Sequence, residues 1–142
     1  MGLSHAEIDR IIDEHFSYEA RDDIAGVLAS LTDDAEHHCV PSPFGVVHDP
    51  AQIRRFYETL FHGVRGERVT NVRRLYGDDF VVDESIWHGR IDDGRALCCE
   101  GMSGPVSFRI LHVFEFRDGR ISRENVWCDV AAIREQIGGS AA

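Results

Sequence analysis

The sequence predicts an α+β fold: a curved antiparallel sheet wraps around helices and forms a cone with an internal pocket. Two observations lead to this prediction. Apolar residues recur at helical spacing in the first half of the chain, and from about residue 67 they alternate with polar residues in long runs separated by turn signals. The 142 residues contain no repeat or low-complexity linker, so we expect one domain over residues 1–142, with a disordered tail at about 138–142.

Four helices are expected, each with its own start signal. Ser4-x-x-Glu7 is a capping box, and the apolar stripe of the helix behind it includes His15. Asp22 or Asp23 caps a short second helix. A third helix begins at Asp49-Pro50, and Asp129 caps the last one. The buried side of the third helix would contain Ile53, Phe56, Tyr57, Leu60 and Phe61.

The strands are predicted from alternation and from the breaks between them. A short strand precedes the Pro41-Ser42-Pro43 breaker and pairs with a second short one, and four long strands follow in succession. The expected segments are "AEHHCV", "GVVHD", "RVTNVRRLYG", "DFVVDESIWHG", "VSFRILHVFEF" and "GRISRENVWCD", with "ALCCE" a less regular extension. Such a strongly bent sheet, closed on one side by helices, leaves room for a small ligand.

Composition and charge exclude several classes of partner. The net charge is −10, with 15 cationic residues scattered among 25 acidic ones, so no basic stripe for nucleic acid or anionic membrane is expected. No apolar run approaches the roughly 20 residues of a membrane span, and the first ten residues do not resemble a signal peptide. We expect a cytoplasmic protein. Its four cysteines lack a CxxC pair and are expected to be reduced thiols.

One histidine stands in an apolar strand row. In "RILHVFEF", His112 shares a face with Phe108, Ile110, Phe114 and Phe116, because alternate side chains of a strand point the same way. A neutral imidazole can donate from one ring nitrogen and accept at the other, so His112 can present a polar group to a ligand without a permanent buried charge. The alternative is a core histidine satisfied by a backbone carbonyl or a buried water.

Other polar residues are candidates to assist. His37 and His38 alternate, so only one of them can face inward, and Cys39 is either a nucleophilic thiol or an inert small hydrophobe. A metal corner of His37, His38 and Cys39 lacks a second ligand cluster, so we expect no metal. If Asp83 faces inward, it could orient the imidazole of a neighbouring strand; otherwise Asp83 and Glu84 are charges on a solvated sheet face.

The chain resembles the nuclear transport factor 2-like superfamily, and within it the SnoaL-like group of small proteins. The resemblance rests on "DDIAGVLASLTDDAEHH", "DPAQIRRFYETLF" and "FRILHVFEFRDGRISRENVWCDVAAIREQIG". Beside the ketosteroid isomerases of that superfamily, the oxyanion-binding tyrosine falls on His15, the general-base aspartate on Cys39 and the hydrogen-bond-donating aspartate on His112. All three residue identities differ. The positions themselves imply a polar pocket. The last-strand aspartate of its epoxide hydrolases falls on Val126.

The resulting expectation is a small protein that binds a hydrophobic oxygenated molecule and needs no cofactor. It would be an acid/base enzyme of the isomerase, dehydratase or cyclase type, with His112 as the principal group, His15 positioning and His38, Asp83 or Cys39 assisting. The alternative is a non-catalytic ligand carrier or a dimerising interaction module of the same fold. A homodimer is expected, because the second sheet face, with Arg109 and Leu111, needs covering. The predicted substrate contacts are Tyr18, Tyr57, Phe56, Trp87, Phe108, Ile110, Val126 and Cys128.

Overall fold

A computed structural model describes residues 2–139 of the chain. Four helices and six strands follow one another, with one short 3-10 turn, Arg95–Leu97. The elements are α1 (His5–Ala20), α2 (Ile24–Ala29), β1 (Leu31–Val40), β2 (Val46–Val47), α3 (Pro50–Gly63), β3 (Val64–Tyr76), β4 (Phe80–Ile91), β5 (Gly104–Arg117), β6 (Arg120–Cys128) and α4 (Val130–Ile137). Residues 140–142, most of the tail expected to be disordered, lie outside the described part.

The six strands form one open curved sheet in the order β2-β1-β6-β5-β4-β3. The predicted α+β fold is therefore confirmed, although the sheet does not close into a barrel. Every neighbouring pair is antiparallel except β1 and β6, which run parallel because the chain crosses over through α3 and four strands before returning. Register shifts interrupt the β3–β4, β5–β6 and β1–β6 ladders. Such bulges bend strands, which suits a sheet that wraps around helices.

The helices begin at the predicted capping residues. Ser4 and Glu7 form the complete capping box of α1, and the Asp49 side chain accepts from the Ala51 N–H ahead of α3. Of the two candidates for α2, Asp23 is the cap, since its carboxylate accepts from the Gly26 N–H. Asp129 caps α4.

Three segments differ from the sequence prediction. The strands predicted as "AEHHCV" and "RVTNVRRLYG" begin earlier, at Leu31 directly after α2 and at Val64 directly after α3. "ALCCE" is a 3-10 turn and not a strand extension, with one isolated bridge between Gly94 and Cys99.

The core lies between the concave face of the sheet and the helices. From α1 and α3 it takes Ile8, Ile12 and Ile53, each at most 2% exposed. From the sheet it takes the inward rows of β4, β5 and β6, including the fully buried Phe114. The helices do not fully cover the side chains at the middle of these rows. The space left between the helices and the sheet is a cavity. None of the described helices is both long and apolar enough to cross a membrane.

Candidate functional site

A cavity of about 590 Å³ opens between the concave sheet face and helices α1 and α3. Its volume falls within the range of pockets that hold small organic ligands. Aromatic and aliphatic side chains form most of the wall, and polar groups converge at one place, between the C-terminal half of α1 and the middle of β6. The apolar lining is Phe16, Phe56, Leu60, Phe61, Val64, Val69, Trp87, Leu97, Phe108, Ile110 and Val126.

Glu124 of β6 is the centre of the polar group. Its side chain is 2% exposed, and one carboxylate oxygen, Oε1, accepts a hydrogen bond of 2.7 Å from the Tyr57 hydroxyl. The other oxygen, Oε2, accepts from His15 Nε2 at 3.1 Å. Two further imidazoles stand slightly beyond hydrogen-bond range: His37 Nε2 is 3.7 Å from Oε1, and His112 Nε2 is 3.8 Å from Oε2. One buried carboxylate is thus surrounded by three histidines and a tyrosine.

His15 is the charged histidine of this group. Its Nε2 lies 2.7 Å from Glu19 Oε1 as well as 3.1 Å from Glu124. Its Nδ1 lies 2.7 Å from Ser30 Oγ, and because that hydroxyl donates to the Val27 carbonyl, it accepts from Nδ1–H. Burial acts to lower the pKa of His15, but the two carboxylates outweigh it and raise the pKa to about 10. Both ring nitrogens therefore carry protons at neutral pH.

The same pairing decides the state of Glu124. Burial alone would raise the pKa of its carboxyl group, yet the adjacent His15 imidazolium holds that pKa well below its ordinary value. Glu124 is therefore an ionised carboxylate inside the protein. A buried carboxylate is tolerated only with such partners, because an unpaired one would lose its hydration without compensation.

His112 and His37 are neutral. Burial lowers the pKa of each imidazole and prevails over the attraction of Glu124. The His112 ring is stacked on Phe114, with centroids 5.1 Å apart and planes at 8°, and Phe16 contacts it edge-on. Its Nδ1 and the Nε2 of His37 have no hydrogen-bond partner within the described chain. Each histidine thus has one buried ring nitrogen whose hydrogen-bonding capacity is not used within the described chain.

Asp83 faces inward, which settles the open question about the β4 row. It lies directly opposite His112 in the β4–β5 ladder. Its oxygens, however, accept from Arg74 Nε at 2.6 Å, Asn71 Nδ2 at 2.8 Å and Ser85 Oγ at 2.8 Å. Among the described residues, Asp83 makes no hydrogen bond with His112. The nearest anionic neighbour able to orient the His112 imidazole is therefore Glu124.

The structure places His38 away from the cavity. His37, not His38, is the inward residue, 2% exposed and packed against Phe56, whereas His38 is half-buried and absent from the cavity lining. Strand alternation forces this choice, and the same alternation breaks up the metal corner considered from the sequence. Cys39 does line the cavity. Its contact with Cys128 and its burial raise the pKa of the thiol well above the usual range, which leaves it a poor nucleophile.

Seven of the eight predicted substrate contacts line the cavity. They are Tyr57, Phe56, Trp87, Phe108, Ile110, Val126 and Cys128. Tyr18 does not: its hydroxyl donates to Glu14 Oε1 at 2.9 Å on the exposed side of α1. Helical spacing alone keeps Tyr18 near the face of His15, three residues earlier, but the residue of that turn that lines the cavity is Glu19. His15 itself is fully buried behind the lining and reaches the cavity only through Glu19 and Glu124.

Three members of the site were not singled out from the sequence: Glu124, Glu19 and His37. The signal for Glu124 was its place in one strand row with Val126 and Cys128, both of them predicted contacts. Glu19 lies one helical turn after His15, the spacing at which side chains meet. Within the described chain, His15, Glu19 and Glu124 are also the group whose ligand atoms, within 4.8 Å of one another, could hold a metal ion. In this structure His15 Nε2–H faces both carboxylates, at 2.7 Å from Glu19 Oε1 and 3.1 Å from Glu124 Oε2.

Comparison with known proteins gives a family and a fold. The SnoaL-like domain profile matches residues 12–124. No curated protein matches the chain significantly by sequence. A Jannaschia sp. CCS1 protein classed as a SnoaL-like polyketide cyclase superposes with a TM-score of 0.79 at 19% identity, over 100% of this chain and 99% of its own.

Two further solved structures share the fold. An LEH-like epoxide hydrolase of M. tuberculosis gives a TM-score of 0.69 at 22% identity, over 92% of this chain and 88% of its own. TerC, co-crystallised with polyporic acid, gives 0.69 at 19% identity, over 92% of this chain and 97% of its own. At these identities the likeness shows the fold alone.

Proposed function

Because the chain belongs to the SnoaL-like domain family, we propose that it binds a hydrophobic, oxygenated small molecule in the cavity and moves a proton on it. The reaction would be an isomerisation, dehydration or cyclisation at a carbonyl or hydroxyl group, carried out by side chains without an organic cofactor. The observation that carries this proposal is the pair of neutral His112 and ionised Glu124, 3.8 Å apart at the cavity wall.

His112 is the proposed acid/base group. An unprotonated imidazole can accept a proton from a carbon or oxygen of the substrate near neutral pH, and Nδ1 is its unpartnered nitrogen. The imidazolium that forms would be stabilised by Glu124, in the way that an acidic residue supports the base of a catalytic triad. The proton is returned to another atom of the substrate, or to a leaving hydroxyl group in a dehydration.

His15 and Tyr57 are positioning residues in this scheme. Both donate to Glu124 and are buried, His15 at 0% and Tyr57 at 1% exposure. They hold the carboxylate in place and keep it ionised. Asp83 contributes to the polar wall but is neutralised by Arg74.

A thermal-shift screen of ketones, enones, epoxides and polycyclic phenols tests the proposal. A compound that binds only the folded state raises the melting temperature of the wild type by mass action. We expect His112→Phe, which retains the stacked ring, to lose most of that shift and to lower turnover of the compound by about a hundredfold or more, the usual contribution of an acid/base group. His62→Phe, at an exposed position of α3, is the matched control. Equal turnover in His112→Phe would exclude this assignment.

A second copy of the chain is the proposed partner. On the outer sheet face, Val82 pairs with Val113 and Leu111 with Trp127, which is 40% exposed. Ion pairs of Arg109 with Glu84 and of Arg123 with Glu115 flank this outer apolar band. A two-fold axis would lay the band against itself, because a self-complementary patch closes a dimer. If no compound binds, the band favours the alternative function, a dimerising module without chemistry.

The proposed location is the cytoplasm. All four cysteines are free thiols in the structure, which supports a reducing compartment.

A further inference from the structure

The polar end of the cavity carries an excess of negative charge. Two carboxylates, Glu19 and Glu124, share the single imidazolium of His15. The two other histidines nearby, His37 and His112, are neutral and add no positive charge. Glu19 is the more exposed of the two carboxylates: its side chain is 23% exposed, against 2% for Glu124, and it lines the cavity.

The rest of the lining has the same sign. Six carboxylates line the cavity: Asp13, Glu19, Asp22, Glu67, Asp83 and Glu124. Arg74, behind the lining, contacts three carboxylates at once, those of Asp9, Asp13 and Asp83. Among residues 2–139, only two arginines line the cavity, both on the exposed strand β3, and one of them, Arg65, is 3.5 Å from Asp92. A cavity in a protein of net charge −10 therefore attracts cations and repels anions.

A buried acceptor and aromatic faces complete the recognition of a cation. His37 Nε2 is buried, has no hydrogen-bond partner within the described chain and lies 3.7 Å from Glu124 Oε1. A cationic N–H donor between these two atoms would favour the tautomer protonated at Nδ1, whose Nε2 lone pair then accepts from the donor. Phe56 lies 4.6 Å from the His37 ring, centroid to centroid, and also lines the cavity. Phe16 and Phe61 also line the cavity, and aromatic faces attract ammonium groups.

We propose that the substrate of this cavity carries a protonated amine, whose N–H groups are recognised by Glu19 and His37 while its apolar part lies on the aromatic wall. This inference rests on the proposed function, since it specifies the class of molecule that the same cavity accepts. Glu19 and Glu124 share one imidazolium, so one carboxylate has no counter-charge of its own. An ammonium group supplies that counter-charge, and a neutral ligand does not. A carboxylic acid of the same shape would meet Glu19 and Glu124 with like charge.

Three probes of similar shape test the charge preference: 2-naphthylmethylamine, 2-naphthalenemethanol and 2-naphthoate. Their dissociation constants for the wild type are measured by calorimetric titration at neutral pH and low salt. We expect the amine to bind about tenfold or more tighter than the alcohol, since one charge pair near a protein surface is worth at least that factor, and the acid to bind most weakly. The preference should shrink as salt is added.

The Glu19→Gln variant tests whether Glu19 is the source of the preference for the amine over the alcohol. We expect the amine to bind this variant no more than about twofold tighter than the alcohol, while Glu58→Gln, an exposed carboxylate on the outer side of α3, keeps the wild-type ratio. The wild-type comparison of the probes stands without the variant if Glu19→Gln does not fold. Alcohol and amine binding equally would overturn the amine inference and leave the proposed function intact. If none of the probes binds and the thermal-shift panel also gives no shift, both fail.

Discussion

Replacing Glu124 by glutamine should strongly destabilise the fold. The change preserves shape but removes the carboxylate that faces the buried His15 imidazolium at 3.1 Å. Attraction to Glu124 and Glu19 raises the pKa of His15 from 6.5 to about 10. At about 1.4 kcal/mol for each pKa unit, the full shift corresponds to about 5 kcal/mol of stability. Glu124 is the larger of the two contributors, so we expect Glu124→Gln to cost about 3–5 kcal/mol, the usual loss when one partner of a buried ion pair is removed.

The loss should have its own pH dependence. His15 has a higher pKa in the folded state than in the unfolded state, so its contribution is fully present below pH 6.5 and is lost as the pH rises through about 10. The lowered pKa of Glu124 arises from the same ion pair, so its free energy is not added to that of His15. On the acidic side, the stability from this pair is lost as the pH falls below 4.5. Between pH 6.5 and 10 the wild-type free energy of unfolding should therefore fall, and that of Glu124→Gln should fall less.

Urea denaturation across that pH range, followed by tryptophan fluorescence, measures both effects. The linear extrapolation gives the free energy of unfolding at each pH, provided that the slope with urea is unchanged. Glu58→Gln is the control for the loss of a carboxylate at the surface. A Glu124→Gln protein within about 0.5 kcal/mol of the wild type would refute the electrostatic account. A large loss with an unchanged alkaline slope would mean that Glu124 acts through packing alone.

Three further predictions concern stability and assembly. The pKa values of His37 and His112 are lowered by burial, so the wild type should lose stability as the pH falls below 6.5, and less steeply in His112→Phe, in urea titrations. Arg74→Leu should cost about 3 kcal/mol by the same assay, because Asp83, 1% exposed, loses its 2.6 Å partner. Leu111→Asp on the outer apolar band should convert a dimer to a monomer in light scattering after size-exclusion chromatography.

Each of these has a result that contradicts it. A stability that is flat from pH 7 to pH 5 would mean that both histidines can be protonated inside the fold without cost. An Arg74→Leu protein as stable as the wild type would show that Asn71 and Ser85 suffice for Asp83. A wild type that is already monomeric would remove the proposed dimer, whatever the variant does.

Local signals predicted most of the architecture. The capping box of Ser4 and Glu7 and the Asp49-Pro50 start lie where the structure has the ends of α1 and α3. The apolar row of β5 is buried as the alternation indicated, apart from the partly buried Ile110, with His112 at 6% exposure. These features depend on neighbours within a few residues, so a sequence contains the information needed to identify them.

The polar centre of the site was harder to predict. A strand row is visible in the sequence, but which row faces the helices depends on pairing register. For β4 the choice lay between the rows of Asp83 and Glu84, and for β1 between His37 and His38. The β1–β6 register places Cys39 opposite Val126 and His37 opposite Glu124, and so decides the inward histidine. No local pattern encodes that parallel pairing, because α3 and four strands separate the two segments.

The sequence by itself determined the fold class, the helix starts, the burial of His15 and His112 and most of the apolar wall, because periodicity and capping act over one or two turns of chain. Only the tertiary structure decided that Glu124 is the centre of the site. Its ionised state requires His15, 109 residues earlier, and Tyr57, 67 residues earlier, to approach within hydrogen-bond distance. A buried charge is stable only when such distant partners meet, and that meeting is a property of the packed fold.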